Sequence, residues 1–345
     1  MAGTIFGITF DDELFLQTWT EVPDPVKNAL INSGAMVEDS TIAGMIQNGG
    51  SVYTIPFYNT LDGDPQNYDG QTDMTVSEVD GASQTGVVYG RMKGFFARNF
   101  TAELSGSDPM THIANSVAKY WQKAQQKEML NIINATFSLA GASGFAKTFK
   151  DSHILDLSST TATAYKIGAT DLNDLATQAM GDKKGTFRIA LMHSDVAKTL
   201  ENLELLEYWK QTDANGIQRP LNLASVNGMT VIVDDDLPVE AVGGEGDNKD
   251  LKKYTTYIIG EGFLRHAKGN LDIPVEPNRD PKTNGGQDEL LTRIRETIHP
   301  NGFSFKVPTS GWTQSPTSAQ LGAGGNWNCI FDPKCIPVAK LITNG

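Results

Sequence analysis

Apolar positions recur along this chain with two different periods, and the longest helical period sits between Asp108 and Ala140. Met110, Ile113, Ala114, Val117, Trp121, Ala124, Ile132 and Ala135 fall on one face at helical spacing. No proline or glycine interrupts the interior. Asp108 suits the cap, Pro109 the first helical position, and Gly141 a left-handed stop. At 1.5 Å per residue, some thirty residues make a rod of about 45 Å. Glu128 interrupts the apolar face, so it points into a polar contact or marks the end of that face. Met129, Leu130, Ile133 and Phe137 spread apolar character around the C-terminal end, which predicts that this end is the more buried.

Other stretches predict shorter elements. Asp24-Pro25 repeats the cap-then-proline start, and Val26, Ala29 and Leu30 give a helical face up to Gly34. Ser51–Tyr58 alternates, with Tyr53, Ile55 and Phe57 on one face of a strand that Pro56 places at an edge. A turn-rich stretch follows, then extended segments from Met74 and from Val87 to Phe100, with DGASQTG as a turn between them. Together these predict a long two-stranded arm around a polar tip. A lone ribbon is marginal in water, so an arm of this kind needs another surface.

Residues 141–186 read as loop, except for a helix opened by Thr170 and Asp171. Its stripe is Leu172, Leu175, Ala176, Ala179 and Met180, and Gly181 closes it. Phe187–Met192 has the pattern of a buried strand. Ser194 then caps a helix running to about Trp209. Strands are predicted at Met229–Val239, Lys253–Gly260 and the stretch ELLTRIRETIHP, and a hairpin turn at Asn301-Gly302 leads into FSFKV. NRDPKTNGGQDE reads as loop and CIPVAKLIT as a final strand.

Composition narrows the class. The chain has 345 residues, 39% hydrophobic and 20% charged, which fits a globular protein with a real core. Its net charge of −13 gives no global basic surface for nucleic acid. Cys329 and Cys335 are too few for a disulfide framework or a zinc site and read as reduced thiols. The acidic N-terminus does not read as a signal peptide, and no apolar run is long enough to span a membrane.

Candidate chemistry is sparse. Asp234, Asp235 and Asp236 at a strand end supply oxygen ligands, but neighbouring strand residues point to opposite faces and seldom converge on one ion. His193 beside Asp195 at a strand-to-helix turn reads as a cap-region residue. The chain carries no phosphate-binding loop, no dinucleotide fingerprint and no nucleophile elbow. No cofactor, catalytic residue or metal site is expected.

The order of these segments resembles the major capsid proteins of tailed bacteriophages, of the Hong Kong 97 type fold. Five passages carry the resemblance: VKNALINSGAMV before GGSVYTIPFYNTLDGD; SGSDPMTHIANSVAKYW; FRIALMHSDVAKTLENLELLEYW with NGMTVIVDDDLP; ELLTRIRETIHPNGFSF; and the tail PTSAQLGAGGNWNCIFDPKCIPVAKLITNG. The resemblance implies an α+β fold with residues 1–50 as an N-terminal arm and 51–100 as an extended loop lying over a neighbouring subunit. Residues 101–193 would form a peripheral domain with spine helix 108–140, 194–287 an apical domain, and 288–345 a return to the peripheral domain with the C-terminal segment.

It further implies a non-enzymatic shell subunit. Such a subunit assembles as hexamers and pentamers in the host cytoplasm, with a separate scaffolding protein and a portal, and encloses DNA without reading its sequence. On this reading Ile55 and Phe57 bury against a neighbour, Arg91, Lys93 and Arg98 make charged contacts, and Glu128 finds a basic partner. A bacterial compartment shell of the encapsulin type and a metal-dependent enzyme using Asp234–Asp236 are the alternatives.

Overall fold

The structure, a computed structural model, describes residues 36–100 and 109–345, apart from 48, 60, 62, 72, 75, 77, 142, 160–163, 213–217 and 243–250. It also describes the backbone of 3–5 and 8–10, which pair as antiparallel strands, and the backbone alone of 207–212 and 218–223. The helix expected at Asp24–Gly34 and the Asp108 cap lie outside the described residues.

The long helix runs from Pro109 to Phe137 and is 29 residues long, about 44 Å. Its first half packs Val117 and Trp121, with Met110, Ile113, Ala114 and Ala124 beside them, on Phe95, Val275, Leu290 and Ile294. In its second half Met129, Leu130, Ile132, Ile133, Ala135 and Phe137 all enter the main core, so the C-terminal end is the more enclosed. Gly141 does not stop the helix, because its φ is not positive. It allows close approach instead: a Cβ there would stand 2.6 Å from that of Ala146.

Ala146 belongs to a helix, Gly144–His153, in a stretch expected to be loop. Its buried residues Ala146, Phe149 and His153 are spaced i, i+3 and i+7, a signal too short to stand out. A second unexpected helix, Ser40–Gln47, is capped by Asp39, whose Oδ1 accepts from the Thr41 and Ile42 amides.

Two sheets flank the long helix. In the first, the 14-residue strand Gln287–Pro300 pairs along one edge with Tyr89–Arg98. Along its other edge it pairs with Val275–Asp280 and then with Leu264–Lys268, and Leu264–Lys268 in turn pairs with Met36–Glu38. Part of the stretch expected as loop, Asn278–Asp280, is therefore strand.

The second sheet has the order Ile154–Asp156, Val338–Thr343, Lys252–Gly260, Phe187–Met192, Met229–Val233, Gln218–Val226, Glu207–Thr212, with Val239–Ala241 beside Lys252–Gly260. Both faces are covered. Ile189, Leu191, Tyr257 and Ile259 meet the main core, while Ala190, Met192 and Ile258 meet helices Asp171–Met180 and Ser194–Asn202. A strand enclosed on both faces reads as an unbroken apolar run, as FRIALM does. The sheets do not follow sequence blocks: 264–268 and 275–280 stand in the first, whereas 338–343 lies within the second.

Several local readings change. Helix Ser194–Asn202 ends before residue 207, with Glu204 at φ 56°, and Glu207–Thr212 is strand. Its cap is His193, whose Nδ1 accepts from the Asp195 amide at 3.1 Å. The Asn301-Gly302 turn makes no hairpin: Phe303–Phe305 pairs with Trp327–Cys329. Gly302, at φ 91°, is wedged against Ile336 and Phe331.

Candidate assembly surface

The arm is a ribbon of Val52–Tyr58 and Gly81–Val87, in register from Val52↔Val87 to Tyr58↔Gly81. The partner strand GASQTGV is the stretch that reads as a turn. It is a strand because its small residues fit a crowded site, where packing overrides propensity. Gly86 lies under the Tyr53 ring, and an added Cβ would stand 2.1 Å from Tyr53 Cζ. The extended stretch expected from Met74 forms no strand among its described residues.

The ribbon is anchored on its own subunit. Tyr53 Oη lies 3.0 Å from Thr297 Oγ1, which donates to the Val87 carbonyl at 2.8 Å. Gln84 Oε1 accepts from the Gly302 amide and stands 3.1 Å from His299 Nε2. The Ser304 hydroxyl accepts from the Thr85 amide. Ile55 packs beside Ile42, Ile46 and Tyr53, and the Phe57 ring meets Phe331 edge-on at 4.8 Å. Tyr53, Ile55 and Phe57 do share a face, but that face is turned to this chain and not to open surface.

What the ribbon leaves uncovered lies beyond it. The described residues of 59–80 are all exposed and form no helix or strand. Leu61, Tyr68, Met74, Val76 and Val79 stand out among them, at 58–94% exposure, with Tyr58 at their root. On the neighbouring strand Met92 and Phe96 are exposed too, at 82% and 56%. Large apolar groups grouped this way mark a contact surface.

The charged residues of the strand Tyr89–Arg98 divide. Arg91 turns inward: its Nε and Nη2 each lie 3.0 Å from Glu128 Oε1, its Nη1 donates to the Pro316 carbonyl, and the guanidinium sits over the Tyr89 ring. Ser318 Oγ donates to the same carboxylate oxygen. Glu128 thus has the basic partner that its position on an apolar face demands, supplied by its own chain. Lys93 and Arg98 remain exposed.

Beneath this pair lies a buried polar cluster that sequence reading missed. Glu296 accepts from Tyr89 Oη at 3.0 Å and from Gln125 Nε2 at 2.6 Å, and lies 3.0 Å from His266 Nε2. Trp121 Nε1 donates to Thr292 Oγ1. The signal was Gln125 itself, one turn past Trp121 on the buried side of the helix. Burial, with Glu296 and Glu128 nearby, pushes the Tyr89 hydroxyl well above the usual tyrosine range. Burial lowers His299 to about 3 and His153 to about 4, so both are neutral.

The other candidate chemistry is spent on local structure. Asp234 accepts from Gln126 and from the Asp236 amide, and Asp235 from the Ser194 amide. Among the described residues no group of acids, histidines and cysteines is arranged to hold a metal. Cys329 is buried and Cys335 exposed, both as free thiols.

Residues 97–299 match the family model described as phage capsid protein. The chain is 30% identical over 315 residues to the major capsid protein of Bacillus phage SPP1, covering 91% of this chain and 90% of that one. The chain belongs to the phage capsid protein family. Its fold is similar to the capsid of Ralstonia phage GP4 (TM-score 0.57, 10% identity, 90% of this chain and 86% of that one). It is also similar to that of cyanophage Pam1 (TM-score 0.52, 10% identity, 86% and 85%). This is the Hong Kong 97 type α+β fold. A phage capsid protein works by repetition, as one of many like subunits in the shell of a virion, so its working parts are surfaces between copies.

Proposed function

We infer that this chain is the major subunit of the icosahedral head of a tailed, double-stranded DNA phage, closing as pentamers and hexamers around the genome. The role is structural and involves no catalysis. The observation that carries the reading is the arm: an anchored ribbon ending in a stretch, 59–80, that exposes Leu61, Tyr68, Met74, Val76 and Val79. Its apolar tip gains a covered environment only on another subunit. Arg98, on the same face of its strand as Met92 and Phe96, flanks the same contact, whereas Lys93 stands on the opposite face. Ile55, Phe57, Arg91 and Glu128 act indirectly, by fixing the angle at which the arm leaves its subunit.

The long helix and first sheet serve as the peripheral domain, and the second sheet as the apical domain around the centre of each capsomer. Assembly takes place in the host cytoplasm, with a separate scaffolding protein and a portal as partners. Many weak contacts in a closed array multiply into a durable shell. Electron microscopy of the expressed chain, alone and with the scaffolding protein, should show capsomers or closed shells. A chain that stays monomeric under every condition would overturn the reading.

A further inference from the structure

We propose that the exposed face of the long helix, carrying Lys119, Lys123 and Lys127, lines the inside of the shell and meets the phosphates of enclosed DNA. This rests on the shell reading above. The three lysines are spaced four residues apart, so their heads follow one stripe with a rise of about 6 Å per step. All three are exposed and form no ion pair among the described residues. The helix carries one acid, Glu128, which is buried on Arg91. Asp234, in the acidic turn Asp234–Asp236, hydrogen-bonds the helix at Gln126 without forming an ion pair to these lysines among the described residues. In a chain of net charge −13, three exposed lysines on one helix face with no ion pair among the described residues are a local exception.

The first sheet fixes which way the stripe looks relative to the arm. Thr292 and Glu296 point to the helix, meeting Trp121, Gln125 and Tyr89. Thr297 and His299 point to the opposite face, where the arm lies on them through Tyr53 and Gln84. Helix and arm therefore occupy opposite faces of one sheet. A sheet lying within a shell wall turns one face outward and one inward. The arm's stretch 59–80 carries six acids and no lysine or arginine, and it departs from the far face. Its charge would suit the lysine stripe, but its departure from the far face keeps it away from the stripe of its own subunit. Lys93, opposite Thr292 in register, is a further exposed cation on the helix side. The polyanion that a phage head holds is DNA, and contact with its phosphates is independent of sequence and weakened by salt.

The test compares heads built from the full chain, from Lys119→Gln/Lys123→Gln/Lys127→Gln, and from the matching triple arginine variant. Empty-shell yield, the ratio of filled to empty heads, and the temperature of DNA release across a salt series are measured for each. The glutamine variant should match the original in empty-shell yield, lose filled heads several-fold, and release DNA at a lower temperature with a shallower salt dependence. The arginine variant should match the original throughout. Equal filling and release in the glutamine variant would overturn the proposal. So would loss of empty shells, which would assign the stripe to a protein partner, or an arginine variant as impaired as the glutamine one. Failure of the unaltered chain to form shells would instead refute the shell reading, and this inference with it.

Discussion

Glu128 shows how much one residue can organise. Its carboxylate lies on a buried face, and Arg91 is the cation that makes this tolerable. Removing one partner of a buried pair leaves the other uncompensated, which costs about 3–5 kcal/mol when burial is complete. Because Arg91 is partly exposed, Arg91→Ala should cost about 2–3 kcal/mol, read as a lowered urea midpoint of the capsomer or subunit. Arg91→Lys should recover only part of this, since a lysine cannot reach Glu128, Pro316 and the Tyr89 face together. His299 gives a second expectation. Its pKa falls from about 6.5 in the unfolded chain to about 3 in the fold. A base with a depressed pKa contributes stability that is full above about pH 6.5 and is lost as pH falls towards 3. The slope is about 1.4 kcal/mol per pH unit for one proton. Thermal unfolding between pH 6.5 and 4 should show this loss, and His299→Gln should remove one proton's worth of the slope while keeping a donor for Gln84.

Among elements, the arm strand is the most instructive. Five of the seven residues of Gly81–Val87 are glycine, alanine, serine or threonine, with no apolar alternation, and so it reads as a turn. It forms a strand because Tyr53, Thr297 and Gly302 supply partners from far along the chain. Gly86→Ala should push the Tyr53 ring off Thr297 at a cost of about 1–3 kcal/mol. Loss of the near-ultraviolet tyrosine signal and early proteolysis at the arm would report it. The same contrast explains what was legible in the sequence. The long helix, the Asp171–Met180 helix and the strand FRIALM carry strong local periodicity and could be read directly. Gly144–His153 is as long as Asp171–Met180 but buries only Ala146, Phe149 and His153, and Ser40–Gln47 buries only Ile42 and Ile46, so their stripes are too sparse to separate them from loop. The Asn301-Gly302 turn has the chemistry of a hairpin, but its next strand finds a better partner at Trp327–Cys329. The Glu128 contact could be anticipated as a type, because a carboxylate on an apolar face requires a cation. Which cation, and from which strand, depends on the register of Tyr89–Arg98 with Gln287–Pro300, which no local pattern encodes.

At the scale of the molecule, anchoring and reaching are separate tasks. The ribbon's inner face holds to its own sheet, and Leu61, Tyr68, Met74, Val76 and Val79 stand exposed to engage a neighbour. Deleting residues 60–79 and closing Asn59 to Asp80 with a two-residue turn should therefore leave the subunit folded. Its unfolding transition should be close to that of the full chain, while sedimentation shows capsomers or shells lost. Loss of the fold itself would mean that the stretch packs on its own subunit.

The order of the strands also bears on timing. Residues 338–343 lie between Ile154–Asp156 and Lys252–Gly260, and the arm is held by residues 297–304. A ribosome delivers the arm early and both of these segments late, so an emerging chain has no platform on which to set the arm at its working angle. Domains made during synthesis fold as units from the N-terminal side, and exposed apolar surface is a hazard in the interval. Here the long-range pairing works as a clock: a subunit becomes competent to join its neighbours only once residues 338–343 have been made.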